Sequence, residues 1–424
     1  MTGSNTGTNS DNRPLGRLDG GAAETAQQSS GRGISGFWPR ILASAVRRMA
    51  AGQLTLIGPD GKAEVISGQA PGPQATLAIR HPRAVRRLLA GGDVGFAEAY
   101  LDGDWESPNL AALIELAARN EHAMSEATRG LGIMRTWHRL RHLLRPNSRT
   151  GARRNIAEHY DLGNDFYRLW LDPTMTYSSA IFGDGQKDLS AAQMAKYGRM
   201  AQSLELQPGH KVLEIGCGWG GFAEFAAGTY GCKVTGITLS QEQQKFARER
   251  VAKAGLADKV DIELIDYRDV DGSFDRIASI EMFEAVGEAH WPVFFEKVRN
   301  LLSPGGLAAL QVILIEEARF DLYRRSADFI QRYVFPGGML PSHTAFNRAA
   351  EAARLKIDEA YHFGLDYART LAEWQASFQQ AWPRVAALGF DAKFKRLWEY
   401  YLAYCEGGFR AGSIDVAQYR LKRA

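Results

Sequence analysis

The stretch "KVLEIGCGWGGFAEFAA", residues 211–227, decides the fold. It predicts a short apolar strand, a glycine-rich turn and a helix, in that order. In the turn, Gly216 and Gly218 let the backbone approach a ligand closely, and the N-terminus of the following helix supplies positive dipole. Dinucleotide enzymes share such a loop, so the stretch by itself indicates a nucleotide-type site without identifying the cofactor.

Apolar, β-branched runs recur along this part of the chain, with helical sequence between them. The runs are "KVLEI", "KVTGI", "VDIELI", "FDRIASI" and "GGLAALQVILI", between residues 211 and 315. This alternation predicts βαβ units and hence an α/β fold with a Rossmann-like, doubly wound parallel sheet. Residues 320–424 add aromatic-rich sequence that we expect to be helical.

The glycine spacing and the next strand argue against a dinucleotide. The loop reads G-x-G-x-G-G, whereas the dinucleotide pattern is G-x-G-x-x-G. The next strand, "KVTGITLSQEQQ", ends in Thr238, Ser240 and Gln243, where a dinucleotide enzyme usually has an acidic residue for a ribose. These uncharged groups favour S-adenosylmethionine, which lacks a pyrophosphate and carries a sulfonium that carbonyls and aromatic faces stabilise.

Length, charge and cysteine content exclude several classes of protein. A chain of 424 residues predicts two domains, or one large domain with an appendage. The net charge of +3 is too weakly basic to indicate a nucleic-acid partner. The three cysteines show neither metal-ligand spacing nor a disulfide framework, so we expect no metal site. With no signal peptide and no apolar run of about 18 residues, the cytoplasm is the expected compartment.

Composition divides the chain into four parts. Residues 1–36 are rich in Gly, Ser, Thr, Asn and Gln and predict a disordered tail. Residues 37–128 predict a small N-terminal α+β domain, in which "GQLTLIGPDGKAEVI" indicates a hairpin and "NLAALIELAARN" a helix capped by Asn109. A basic linker helix is expected over 129–154, and residues 155–424 form the domain with the glycine loop.

The linker "RGLGIMRTWHRLRHLLRPNSRTGARR" is basic and amphipathic. The apolar residues on one helical face are Ile133, Trp137, Leu140 and Leu144. The arginines that lie mostly off this face are Arg135, Arg139, Arg141 and Arg145. The pattern fits a solvated inter-domain helix packed on its apolar stripe. It equally fits a surface that meets anionic lipid headgroups, since basic amphipathic helices with Trp bind them.

An ordered series of motifs resembles those of the cyclopropane-fatty-acid synthases. The motifs are "HYDLGNDFY" (159–167), "DPTMTYSSAIF" (172–182), "LEIGCGWGG" (213–221), "GITLSQEQ" (236–243), "FDRIASIEMFEAVG" (274–287), "FIQRYVFPGGMLPS" (329–342), "FGLDYARTL" (363–371) and "YYLAYCEGGFR" (400–410). The stretch "GGDVGFAEAYLDGDWESPNL" (91–110) also resembles the N-terminal domain of bacterial members that act on intact phospholipids.

This resemblance implies a class I methyltransferase fold, with S-adenosylmethionine as the methyl donor. The implied substrate is an unsaturated acyl chain of a membrane phospholipid, met at the anionic inner face of the membrane; the oligomeric state, a homodimer included, is left open. The implied cofactor contacts are Tyr177, Ser178, Gly216, Gly218, Thr238, Gln243 and Tyr267. The implied active-site residues are Tyr160, Ile280 (through its backbone), Glu284, Tyr367 and Cys405.

Three positions depart from the family pattern. In the family, a Cys, a Glu-His pair and a Tyr bind a bicarbonate ion near the cationic centre. Here Ser179 replaces that Cys, Ala285 replaces that His, and Glu281 replaces the Gly three residues before the family Glu. The loss of two donors and the charge of Glu281 argue against a bound bicarbonate ion.

The extra carboxylate of Glu281 leads to three hypotheses. It could be the base that removes a proton from the new methyl group and closes a cyclopropane ring. It could instead stabilise the cation long enough for a hydride shift, and the product is then a methyl-branched or methylene chain. The third hypothesis is structural: Glu281 caps the following helix or pairs with an arginine.

Two other functions are compatible with the sequence. Some small-amine N-methyltransferases look similar in the catalytic part and carry an "EMFE" stretch, but the 91–110 motif and the basic linker favour a lipid. A catalytically silent lipid-binding paralogue would explain the missing family residues. The intact cofactor loop argues against that alternative.

Overall fold

The residues that the computed structural model describes are 35–121, 123, 162–183, 185 and 188–423. Most of the predicted tail, the whole basic linker over 129–154 and the candidate Tyr160 lie outside these residues. None of the described helices combines the length and the apolar character that crossing a membrane requires.

A small sheet and three helices make up the N-terminal part. Its elements are α1 (Phe37–Val46), β1 (Ala51–Ile57), β2 (Ala63–Ser67), β3 (Ala70–Ile79), α2 (Arg83–Leu101), β4 (Trp105–Glu106) and α3 (Leu110–Arg119). The strand order is β2-β1-β3-β4, and Leu54 lies opposite Ile66 in the antiparallel β1–β2 pair, which confirms the predicted hairpin. The Asn109 side chain accepts a hydrogen bond from the N–H of Ala112 at 3.0 Å and caps α3 as predicted.

Seven strands form the second sheet. They are β5 (Lys211–Ile215), β6 (Lys233–Thr238), β7 (Val260–Leu264), β8 (Phe274–Ile280), β9 (Leu302–Ile315), β10 (Leu355–His362) and β11 (Ile414–Arg423). Their order is β10-β11-β9-β8-β5-β6-β7. Strands β5 to β9 pair in parallel, which confirms the predicted parallel sheet.

Strands β10 and β11 correct the expectation that residues 320–424 are helical. β11 runs antiparallel to both β9 and β10 and lies between them. β10 is an edge strand whose residues are mostly exposed, so it lacks the apolar run that identified the other strands. β11 carries charged residues near its C-terminal end, at Arg420, Lys422 and Arg423, and its buried residues are 416–419 and Leu421.

Helices cover both faces of the second sheet. The helices of this part are α4 (Asn164–Arg168), α5 (Leu189–Ser203), α6 (Gly221–Tyr230), α7 (Gln241–Lys253), α8 (Trp291–Leu301), α9 (Glu317–Tyr323), α10 (Phe329–Tyr333), α11 (His343–Ala352), α12 (Gly364–Ala387) and α13 (Ala392–Ala411). Successive strand residues point to opposite faces. Leu213 and Ile277 therefore pack in one core with α8 and α11, whereas Val212 and Ala278 pack in the other with α5, α6 and α7. The sheet is doubly wound, as predicted.

Helix α13 connects the N-terminal part to the second sheet. It packs against α3 at Gly407, where an added Cβ would come within 2.7 Å of the Ile114 side chain. Glycine is needed at this position because the two helices approach so closely. Two residues earlier, α13 brings Cys405 to the cavity at the carboxyl ends of the parallel strands.

Candidate active site

The site lies where the strand order reverses. The chain passes from β5 to β6 on one side, and β8 lies on the other side of β5. In doubly wound sheets a ligand binds in the crevice outside the carboxyl ends of the strands at such a point. Here Gly216 follows β5 and Glu281 follows β8, so the loop and the extra carboxylate open on the same crevice.

The described site candidates line a single cavity of about 2180 Å³. The residues that it brings together are Tyr177, Ser178, Gly216, Gly218, Thr238, Gln243, Tyr267, Ile280, Glu281, Glu284, Tyr367 and Cys405. The cavity continues past them to apolar side chains of α1, α2 and α3, such as Ile41, Leu89 and Leu113. Its volume exceeds what a cofactor and a small amine together need.

The cofactor half of the cavity fits S-adenosylmethionine. Gly218 has φ +52°, and no atom lies within 4 Å of the place that a Cβ there would occupy. Two buried oxygens, Glu214 Oε2 and Tyr267 Oη, have no hydrogen-bond partner within the described part of the chain. Thr238 Oγ1 donates to Gln243 Oε1 at 2.8 Å, so both buried side chains are fixed beside the loop. An open cradle with unsatisfied polar atoms is what a ribose and an amino-acid group require.

A buried lysine holds Ser178, one of the two neighbouring candidate cofactor contacts Tyr177 and Ser178. Lys196 Nζ donates to Ser178 Oγ at 2.8 Å, and the Lys196 side chain has no exposed surface. Burial lowers the pKa of Lys196 to about 8, against the opposing effect of Glu281 and other carboxylates. Tyr177 is held separately, by a 2.8 Å hydrogen bond between its hydroxyl and that of Tyr401. A hydrogen bond therefore fixes each of the candidates Ser178 and Tyr177 in the cavity wall.

Replacing Gly218 by valine tests the cofactor loop. A branched side chain would enter the open space beside the loop, and overpacking of this kind costs about 1–3 kcal/mol, so affinity for S-adenosylmethionine should fall about 10- to 100-fold. Titration calorimetry measures this directly. Gly255→Val is the matched control, because Gly255 is exposed, also has positive φ (+68°) and also has open space around its Cβ position. Equal affinity losses in the two variants would attribute the effect to backbone strain and refute the loop assignment.

The carboxylate of Glu281 is bound by three donors. Glu281 Oε1 accepts from the backbone N–H of Ser179 at 2.8 Å and from Gln311 Nε2 at 2.7 Å. Glu281 Oε2 accepts from the Tyr367 hydroxyl at 2.6 Å. These partners differ from the helix N–H groups or the arginine that the structural hypothesis for Glu281 required. The arrangement is that of an anion site whose anion is the protein's own side chain.

The backbone at Glu281 is strained. Its φ is +51°, in the left-handed region that favours glycine. This explains why the family pattern has a glycine at the position. A non-glycine residue in this conformation costs about 1–2 kcal/mol and persists where the surrounding structure holds it, which is common at functional sites.

The two glutamates of the site differ in protonation. Burial, followed by the charge of Glu281, raises the pKa of Glu284 to about 8. Burial also raises the pKa of Glu281, but the three donors and Lys196 oppose the shift. Two buried carboxylates this close do not both ionise at neutral pH. Glu281 has three donors, whereas Glu284 accepts from the backbone N–H of Ile313, so the arrangement favours the negative charge on Glu281.

Aromatic rings and a thiol complete the wall beside Glu281. The Tyr367 ring stacks on Phe409 with centroids 4.4 Å apart, and both rings line the cavity. Burial raises the pKa of the Cys405 thiol, which is therefore protonated and is no nucleophile at neutral pH. We assign Cys405 to the wall of the cavity.

Sequence reasoning missed three polar residues of the site. Lys196 and Gln311 lie within a helix and an apolar strand, where no motif distinguishes them. Glu214 belongs to the quoted strand "KVLEI", and burial raises its pKa to about 8. A glutamate inside an otherwise apolar strand, just before the glycine loop, was the available signal for Glu214.

Comparisons with known proteins show the family to which the chain is similar. Residues 147–419 match the family described as mycolic acid cyclopropane synthetase. The tuberculostearic acid methyltransferase UfaA1 of Mycobacterium tuberculosis is 40% identical over 94% of this chain and 98% of its own length. The cyclopropane-fatty-acyl-phospholipid synthase of Escherichia coli K12 is 37% identical over 83% of this chain and 88% of its own length. The mycolic acid cyclopropane synthase CmaA1, solved with SAH and CTAB, is 33% identical, with a TM-score of 0.60 over 64% of this chain and 98% of CmaA1.

Proposed function

The chain belongs to the mycolic acid cyclopropane synthetase family of S-adenosylmethionine-dependent methyltransferases, and we propose that it converts the double bond of an unsaturated phospholipid acyl chain into a methylene branch. The observation that carries the proposal is the Glu281 carboxylate, seated on three donors beside the cofactor loop. The size of the cavity and its apolar far end suit a long hydrocarbon better than a small amine.

The first requirement is alignment in a dry groove. S-adenosylmethionine supplies an electrophilic methyl group when bound, and an alkene is a poor nucleophile that must be held in line with it. The cofactor would be held by three groups: the loop at Gly218, the Thr238–Gln243 pair, and the unpaired buried oxygens Glu214 Oε2 and Tyr267 Oη. The apolar lining beyond Glu284 would hold the acyl chain and exclude water.

The second requirement is stabilisation of the cation. When one alkene carbon bonds to the methyl group, its neighbour is left with a positive charge. The ionised Glu281 and the rings of Tyr367, Tyr177 and Tyr401 line this part of the cavity and stabilise that charge. With its pKa raised to about 8, Glu284 holds its proton at neutral pH and cannot accept another, so Glu281 is the carboxylate that acts as the base.

The third requirement is a proton acceptor. A hydride moves from the methyl-bearing carbon to the neighbouring cation, which leaves the charge on the methyl-bearing carbon. Glu281 then takes a proton from the methyl group, and the C–H electrons form the new carbon–carbon double bond. This series of reaction steps needs no reductant, whereas formation of a saturated methyl branch would need one. One relative, the tuberculostearic acid methyltransferase UfaA1, is named a methyltransferase and not a cyclopropane synthase, which favours the open chain.

The residues present do not fit a bicarbonate ion. Ser179 and Tyr367 stand at the positions that the family uses for its Cys and Tyr, and both donate to Glu281 instead. A second anion beside that carboxylate would be repelled. Because the donor at Ser179 is the backbone N–H, the change from Cys removes no main-chain hydrogen bond.

Product analysis tests the proposed reaction. With S-adenosylmethionine carrying a deuterated methyl group and vesicles of unsaturated phospholipid, we expect a product that has lost one deuteron from the methyl group. Ozonolysis should convert the product into a ketone, since it cleaves a methylene group and leaves a ring intact. Full retention of deuterium would indicate a saturated branch, and an ozone-resistant product would indicate a ring. The turnover rate in carbonate-depleted buffer should equal the rate in buffer that contains bicarbonate.

The membrane partner of the proposal is an anionic phospholipid surface at the inner face of the membrane. It rests on the amphipathic sequence of 129–154, which lies outside the described residues, and on a substrate that resides in the bilayer. We also propose the division at residues 37–128 and 155–424 as N-terminal lipid-associated and methyltransferase domains.

A further inference from the structure

We propose that Arg199 and Gln418 are positioning residues that fix the direction in which Gln311 hydrogen-bonds to Glu281. The inference rests on the proposed function of Glu281 as the base. It adds two residues remote from the acyl chain to the machinery that keeps this base ionised.

The two glutamines lie opposite each other on neighbouring strands. Gln418 of β11 pairs in register with Gln311 of β9, and each side chain is 1% exposed. Gln418 Nε2 donates to Gln311 Oε1 at 3.0 Å, and Gln311 Nε2 donates to Glu281 Oε1 at 2.7 Å. A continuous line of hydrogen bonds thus crosses the buried sheet and ends on the catalytic carboxylate.

A guanidinium sets the direction of this line. An amide has a donor end and an acceptor end, whereas a guanidinium has only donors. Arg199 Nη1 lies 3.0 Å from Gln418 Oε1, so the oxygen of Gln418 must face Arg199 and its nitrogen must face Gln311. The oxygen of Gln311 is then turned toward Gln418, and the nitrogen of Gln311 is left for Glu281.

Arg199 is itself held in place from the surface side of the sheet. Its Nη2 donates to Glu359 Oε1 of β10 at 2.7 Å, and its guanidinium lies 4.0 Å from the centroid of the Tyr361 ring. The hydrogen-bonded line Arg199–Gln418–Gln311–Glu281 is called the relay below. With a side chain 20% exposed, Arg199 is its outer end. The relay is therefore anchored by a charge at each end and is directional along its whole length.

Loss of the relay would act on the protonation of Glu281. A reversed Gln311 amide would place its oxygen against the carboxylate, which removes one donor and adds repulsion. Both effects favour the protonated acid and raise the pKa of Glu281. The other titratable groups that interact with Glu281 are Tyr367 of α12, Lys196 of α5, Cys405 of α13 and the neighbouring Glu284. None of their side chains is part of the relay, which touches only the backbone carbonyl of Lys196 (3.5 Å from Gln418 Nε2), so their effects on the pKa of Glu281 are expected to persist in the relay variants.

The pH profile of kcat/KM separates positioning from a structural role. Glu281 must be ionised to act, so the acid limb follows its pKa. In Gln418→Leu we expect that limb to move to higher pH by about one unit, the effect of losing one hydrogen bond to a charged group. Arg199→Met should move it in the same direction, and Arg199→Lys, which keeps a donor, should stay near the parent. Affinity for S-adenosylmethionine should not change.

Lys422→Met provides the matched control. Lys422 also lies on β11 and forms an ion pair with Asp358 of β10 at 2.9 Å, so its loss removes an ion pair from the same sheet edge but none of the contacts of Arg199 or of the glutamines. A rate loss in Gln418→Leu and Arg199→Met that is equal at every pH, or an equal limb shift in Lys422→Met, would overturn the proposal. If the acid limb of the relay variants does not shift while Glu281→Gly is inactive, only the relay is refuted. If Glu281→Gly is active, the proposal that Glu281 is the base is refuted.

Discussion

Glu281→Gly is expected to lower the rate of methyl transfer by about 10²- to 10⁴-fold, the usual effect of removing a general base. The variant loses the proton acceptor and the negative charge that faces the cation. The donors from Ser179, Gln311 and Tyr367 remain, since one is backbone and the others are held by their own neighbours. The rate of acyl-chain methylation by purified enzyme in carbonate-depleted buffer measures the effect.

Glu281→Ala is the matched partner of this variant. Both lose the carboxylate, so both should be equally inactive, but only alanine keeps a Cβ on a backbone with φ +51°. The glycine variant should therefore be more stable than the alanine variant by about 1–2 kcal/mol, measured by denaturant unfolding. If Glu281→Gly methylates at the parental rate and gives the same product, Glu281 is structural and the proposed mechanism is wrong.

Added bicarbonate should partly rescue Glu281→Gly. The three donors that held the carboxylate form an empty anion site in this variant, and a small anion that enters it can accept the proton. Combining Glu281→Gly with Ser179→Cys and Ala285→His restores the family pattern. That triple variant should require bicarbonate and shift its products toward rings. Product analysis with and without carbonate checks both expectations.

Replacing four arginines of the basic linker by glutamine should weaken binding to anionic vesicles by about 10³-fold. Each Arg near an anionic surface contributes on the order of 1 kcal/mol, so four contribute about 4 kcal/mol. The substituted residues are Arg135, Arg139, Arg141 and Arg145. Sedimentation with vesicles that contain phosphatidylserine measures the loss, and raised salt should weaken the parent in the same way because the attraction is screened.

A control variant with the same charge change distinguishes a local surface from net charge. Its substituted residues, exposed cations of the catalytic part changed to glutamine, are Lys253, Lys259, Arg348 and Arg354. This control should lose much less binding than the linker variant. Binding by the linker variant that is unchanged and independent of salt would make the segment a domain connector and refute its role at the membrane.

The sequence predicted the parallel sheet and the cofactor, because each depends on local pattern or on an ordered motif. The described candidate residues line one cavity, and their roles stay predictions. The sequence did not predict that Tyr367 donates to Glu281, since these residues are far apart in the chain and meet only through the fold. It also could not predict the pairing of Gln311 with Gln418. Both lie inside strands, and the strand that carries Gln418 has the charged pattern of a surface segment.

The backbone at residue 281 was predictable only indirectly. A glycine in the family pattern signals positive φ or close approach, and the structure shows that positive φ is the reason here. The place of the carboxylate was not predictable, because it depends on the Ser179 N–H, a donor that every residue type except proline supplies.

The left-handed backbone at residue 281 also makes this site easy to reach in evolution. The glycine codons GGA and GGG become the glutamate codons GAA and GAG by a single base change. Because the turn after β8 already has a conformation that suits glycine, glutamate can enter it with local strain as the main cost. A chain with glycine at residue 281 and a chain with glutamate there are therefore one base change apart, and the change needs no new backbone conformation.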